Sequence, residues 1–123
     1  MPALAEASLS DTDRRVLDRF VAALREGLGE ALDSVWLYGS RARGEPPRED
    51  SDVDLMVFVT GEPDERSTAV HELLWDAAWE EDAGLFDYSV HVKDRRWLEG
   101  RRAIRSFFIQ EVDRDKIVLH GKP

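Results

Sequence analysis

The chain has no cysteine, which removes disulfides, thiolate zinc sites and cysteine nucleophiles together. Long apolar runs are also missing. Nothing approaches the roughly 20 residues of a membrane span, and no signal-like apolar segment follows Met1, so a soluble, cytoplasmic protein is expected. Basic charge is scarce: 17 Lys and Arg stand against 26 Asp and Glu, a net charge of −9. Such a surface repels phosphate backbones, and a duplex nucleic acid held by counterion release is not an expected partner. No Gly-x-x-x-x-Gly-Lys-Ser/Thr loop occurs, which excludes a P-loop enzyme. His71, His91 and His120 show no metal-ligand spacing with one another.

What is present supports a modest core. Hydrophobic residues make up 42% of 123, enough for a single domain over residues 1–123, with 1–9 expected to fray. Ser10 reads as the cap of a helix that carries Val16, Leu17, Phe20, Val21, Leu24 and Leu28 at helical spacing. Val35 to Tyr38 reads as a short strand stopped by Gly39, and Asp52 to about Val59 as a second strand. Glu65 to Ala83 reads as a long helix and Leu85 to Val92 as a third strand. Asp94 caps a further helix that Gly100 should interrupt. Ile104, Phe107, Phe108 and Val112 suggest another helix, and Ile117 to His120 a last strand. The alternation predicts an α/β (α+β) domain, a small mixed sheet of about four strands with helices mainly on one face.

The informative stretch is Tyr38-Gly39-Ser40-Arg41-Ala42-Arg43-Gly44, a proline-rich loop, then Ser51-Asp52-Val53-Asp54-Leu55. Small residues at a strand end let the backbone approach an anion, and free N–H groups at a helix start point toward it. Arg41 and Arg43 can add charge. Asp52 and Asp54 lie two apart on a strand, so their side chains share a face with Cα atoms roughly 6.5 Å apart. That spacing suits hard divalent cations bridging carboxylates and phosphate oxygens. Asp50, Asp52 and Asp54 also imitate the start of a calcium loop. The required glycine and glutamate are replaced by Leu55 and Gly61, so that reading fails.

Gly39-Ser40, Arg43-Gly44 and Ser51-Asp52-Val53-Asp54-Leu55 resemble the signature of the DNA polymerase β-like nucleotidyltransferases, the minimal nucleotidyltransferase (MNT) type in particular. Eleven residues separate Ser40 from Asp52, one more than the usual minimal form. The resemblance implies transfer of a nucleoside monophosphate, AMP from ATP or the equivalent from another NTP, to an acceptor hydroxyl with two Mg²⁺ ions. It implies nucleotide binding by Gly39, Ser40, Arg43 and Ser51. Asp52, Asp54 and Asp87 are then the catalytic and metal-binding carboxylates, Asp87 being the candidate third acid that activates the acceptor. Minimal proteins of this type resemble antitoxins paired with a helical HEPN-like toxin. A catalytically weak or inactive chain of the same fold that neutralises its partner by contact is the alternative, and an aminoglycoside-type small-molecule transferase a further one.

Two other features need an account. Lys93, Arg95, Arg96, Arg101, Arg102 and Arg105 form a basic stretch, either a solvated helix face or a contact for an anionic substrate or acidic partner. Trp75 and Trp79 fall opposite the Val70/Leu74/Ala77 stripe. They belong either under a second layer, such as the Ile104/Phe107/Phe108 helix, or at a contact with a HEPN-like toxin partner or a second copy in a homodimer.

Overall fold

The computed structural model describes residues 3–48 and 52–123. The elements are α1 (Asp11–Leu28), β1 (Leu32–Tyr38), α2 (Gly39–Ala42), β2 (Val53–Val59), α3 (Pro63–Glu80), β3 (Tyr88–Lys93), α4 (Arg95–Ala103), α5 (Phe107–Asp115) and β4 (Ile117–Gly121). Helix α1 opens with a reciprocal cap. The Ser10 hydroxyl accepts from the Asp13 amide, and the Asp13 carboxylate accepts from the Ser10 amide, each at 3.0 Å. Such a cap is worth about 1 kcal/mol.

The sheet runs β3-β2-β1-β4. Strand β1 is antiparallel to both β2 and β4, while β2 and β3 are parallel, so α3 is the crossover that a parallel pair requires. Alternation then divides the strand residues between two cores. Val35, Leu37, Leu55, Val57 and Val90 face the long helices α1 and α3. Trp36, Tyr38, Met56 and Phe58 face Leu98 of α4 and Ile109 and Val112 of α5. The two 18-residue helices cover one face, and the two nine-residue helices cover part of the other. Among the described residues no helix is long and apolar enough to cross a membrane.

Several local expectations need correction. The segment after Ala3 is tied down: Ala7 is buried, the Ser8 amide donates to the Arg41 carbonyl at 2.8 Å, and the Arg14 guanidinium reaches the Leu4 and Ala7 carbonyls. Gly100 does not interrupt α4, which runs on to Ala103; a mid-helix glycine costs about 1 kcal/mol and does not break a helix packed elsewhere. Ile104 is the C-cap of α4, and with Phe107 and Phe108 it is exposed, while Ile109 and Val112 make the core contacts. That elbow lies on the opposite face of the sheet from α3, so it does not cover Trp75 and Trp79, which are 47% and 79% exposed. Strand β3 begins at Tyr88, leaving Asp87 in a 3₁₀ turn over Leu85–Asp87.

Part of the basic stretch is structural. Arg95 bonds Asp33 at 2.6 Å and Ser34 at 3.0 Å, and Arg102 bonds both Asp113 oxygens. Lys93 and Arg101 both lie over the Trp97 ring.

Candidate active site

Register brings the two halves of the motif together. Tyr38, the last residue of β1, pairs with Asp54, and on its other side Asp54 pairs with Ser89 of β3. Lateral partners share a face, so Asp54, Ser89 and Tyr38 all project on the Trp36/Met56 side of the sheet. Asp52 stands just ahead of β2, half-buried, close enough for its charge to act on Asp54.

Gly39 makes the close approach possible. Its φ is +78, a conformation L side chains rarely adopt, and a Cβ placed there would overlap the Asp54 carboxylate. The first turn of α2 is thus laid directly against that acid, with Ser40 beside it. No larger residue could occupy position 39 without moving Asp54 or unwinding the turn.

Electrostatics follow from this packing. Burial pushes the Asp54 carboxyl above its ordinary range, and the charge of Asp52 pushes the same way. A hydrogen bond from the Ser89 hydroxyl at 3.0 Å, with the charges of His91 and Arg41, offsets part of the rise. The Tyr38 phenol is raised by burial and by Asp54. Arg41 is held by the Ser8 carbonyl at 3.1 Å and by Asp13 at 3.4 Å, and Tyr88 donates to the other Asp13 oxygen at 2.7 Å. This network clamps α2 and β3 to the start of α1.

The other sequence candidates are distributed differently. The Arg43 guanidinium bonds Glu45, and reaches Asp115 of α5 at 3.3 Å. It lines a cavity of about 110 Å³ with Tyr38, Gly39, Phe108, Glu111 and Val112. That is well under the roughly 300 Å³ of a small-ligand pocket. The Asp87 carboxylate packs against Gly84, where an added Cβ would sit 2.7 Å away, and it does not join Asp52 and Asp54. Ser51 lies outside the described residues. Among the described residues no group of three His, Cys, Asp or Glu side chains is gathered to hold a metal.

Ser89, His91 and Tyr38 are the additions. Period-2 alternation places Ser89 and His91 on one face, but only the β2–β3 register sets Ser89 opposite Asp54. The donor set fits a divalent cation bound jointly with substrate. Two half-buried carboxylates lie two residues apart, and the charge of one raises the other's proton affinity. Mg²⁺ characteristically takes one or two carboxylates plus phosphate oxygens, not an all-protein cage.

Asp54 near the start of β2, with Asp52 just ahead of the strand, lies against a glycine-initiated turn at the end of the neighbouring strand. The nucleotidyltransferase domain family matches residues 17–120, and the chain belongs to that family. No curated protein matches the chain in sequence. Among solved structures, a candidate nucleotidyltransferase from Sulfolobus solfataricus is 21% identical with a TM-score of 0.53, covering 90% of this chain and 84% of that one. A mutant form of the MntA-HpeT toxin–antitoxin is 21% identical, TM-score 0.51, covering 86% and 73%. A toxin–antitoxin structure with AMP-PNP is 22% identical, TM-score 0.51, with the same coverage. At these identities the likeness is one of fold.

Proposed function

We propose that the protein transfers a nucleoside monophosphate, AMP from ATP, to an acceptor hydroxyl on a partner protein, in the manner of an MNT-type antitoxin. The observation that carries this reading is the contact of Asp54 with the positive-φ turn at Gly39. It joins a turn whose backbone a phosphate could approach closely to an acid whose ionised form is disfavoured by burial and by Asp52. Fold likeness to a toxin–antitoxin structure with AMP-PNP supports the choice of nucleotide and partner.

In this reading the Gly39 and Ser40 backbone receives the triphosphate, with Arg43 and Ser51 as further phosphate contacts. Asp52 and Asp54 hold Mg²⁺, which when bound neutralises charge developing on the phosphates. The acceptor oxygen bonds to the α-phosphorus while the bond to pyrophosphate breaks, and the hydroxyl proton must leave to a base. Asp87 can serve only if its carboxylate leaves Gly84. The Ser89 hydroxyl, already on Asp54, holds that carboxylate in place but is no base at neutral pH.

That last point favours a second reading. With serine opposite Asp54 and Asp87 turned toward Gly84, the chain would bind nucleotide, transfer weakly or not at all, and neutralise its partner by contact. One experiment separates the two: incubate the protein with ATP, Mg²⁺ and the product of the neighbouring gene, then take intact masses. A partner mass increased by AMP, absent with Asp52→Asn/Asp54→Asn, supports transfer. An unmodified partner that nonetheless co-elutes and is inhibited supports the contact mechanism.

A further inference from the structure

From Pro63 to Asp87 the chain has eight acids and one arginine, and the same stretch exposes large apolar side chains. Trp75 is 47% exposed, Trp79 79% and Phe86 94%. Helix α3 buries Val70, Leu74, Ala77 and Ala78 and turns Leu73, Asp76 and Glu80 toward α1. At about 100° per residue, His71, Trp75 and Trp79 form a row on the flank away from α1, bordering the free edge of β3. The His71 and Trp75 rings meet at 6.1 Å. Phe86 stands in the turn that follows the helix.

We infer that this row is the docking surface for a partner protein presenting a basic amphipathic helix, its apolar stripe on Trp75, Trp79 and Phe86. A row at i, i+4, i+8 is the ridge that a second helix accepts in its groove. Exposed indoles are the side chains that become interface anchors once desolvated. Charge decides the occupant: Glu72 lies beside the row, Asp64 continues its line toward the start of α3 and Asp82 stands beyond its end, so Lys or Arg along the partner's stripe would meet them. A second copy would set the acid-rich stretch against itself. The inference specifies the partner's chemistry and rests on the partner-directed reading above.

The test measures anisotropy of three labelled helical peptides, Lys/Leu, Lys/Ser and Glu/Leu, titrated with the full chain at physiological salt. The Lys/Leu peptide should bind, the equally charged Lys/Ser peptide about tenfold or more weaker, and the Glu/Leu peptide not at all. Trp79→Ser should weaken Lys/Leu binding about tenfold or more, and Trp75→Ser/Trp79→Ser should remove it. Trp79 is exposed enough for its variant to fold if the double variant does not. Equal affinity of Trp79→Ser and wild type, or of Lys/Ser and Lys/Leu, overturns the proposal. So does a wild-type dimer in sedimentation that Trp79→Ser dissociates. The ATP–Mg²⁺ thermal shift, measured alongside, keeps failure here distinct from failure of the nucleotide reading, in which wild type shows no shift.

Discussion

Replacing Gly39 with alanine should reveal how much of the site's geometry depends on one missing side chain. The backbone there has φ +78, and the added Cβ would overlap the Asp54 carboxylate. Holding an L residue in the left-handed region costs about 1 kcal/mol. Displacing the carboxylate costs about 2 kcal/mol more, because it loses the charge-assisted bond from Ser89. The expected loss is about 3 kcal/mol, a fall in Tm of about 12 °C for a domain of this size. A double-mutant cycle separates the two contributions. In an Asp54→Ala background only the backbone penalty remains, so Gly39→Ala should then cost about 1 kcal/mol and the coupling should be about 2 kcal/mol. Urea melts of the four proteins measure these quantities, and ATP–Mg²⁺ should no longer raise the Tm of Gly39→Ala. Coupling within about 0.5 kcal/mol of zero, with an intact nucleotide shift, would refute the argument.

The Asp52→Asn/Asp54→Asn variant should lose transfer yet melt higher than wild type in metal-free buffer. A carboxyl whose folded pKa lies above its unfolded value costs stability once ionised, so the gain should grow as pH climbs through Asp54's titration and vanish below the ordinary carboxylate range. Ser40→Trp should abolish the ATP–Mg²⁺ thermal shift by blocking phosphate from the Gly39 backbone; an unchanged shift places the nucleotide elsewhere. Tyr88→Phe removes the 2.7 Å bond to Asp13 and should cost about 1.5–2 kcal/mol near neutral pH. Burial works against the charge of Asp13, but bonds from Tyr88 and Ser10 and the charge of Arg41 hold its carboxyl below the usual range. That stabilisation is full above the ordinary carboxylate pKa and is lost as pH falls through the folded value, so the Tyr88→Phe penalty should shrink in acid.

The parts of the site that could be read in the chain are those that neighbouring residues determine. Gly39-Ser40 closes a strand and opens a turn within a few residues, and Asp52 and Asp54 lie two residues apart, within reach of each other's charge. Both statements hold whatever the fold. Contacts across the sheet are different. The residue opposite Asp54 is set by where α3 delivers the chain into β3, and a shift of two would have put Asp87 there in place of Ser89 with every face unchanged. The ion pair of Arg43 with Asp115 spans 72 residues and has no local signal. The apolar row Ile104/Phe107/Phe108 shows a related limit: periodicity finds a greasy face but does not say what covers it. The same holds for Trp75 and Trp79, and there the missing half of the answer is charge. Acids crowd α3 and the turn after it but not the elbow of α4 and α5, where Arg101, Arg102 and Arg105 collect. The elbow stands beside the cavity at Gly39, the α3 row beside the sheet edge. A partner held by its basic helix on the α3 row, next to β3, would lie beside the strand that carries Ser89.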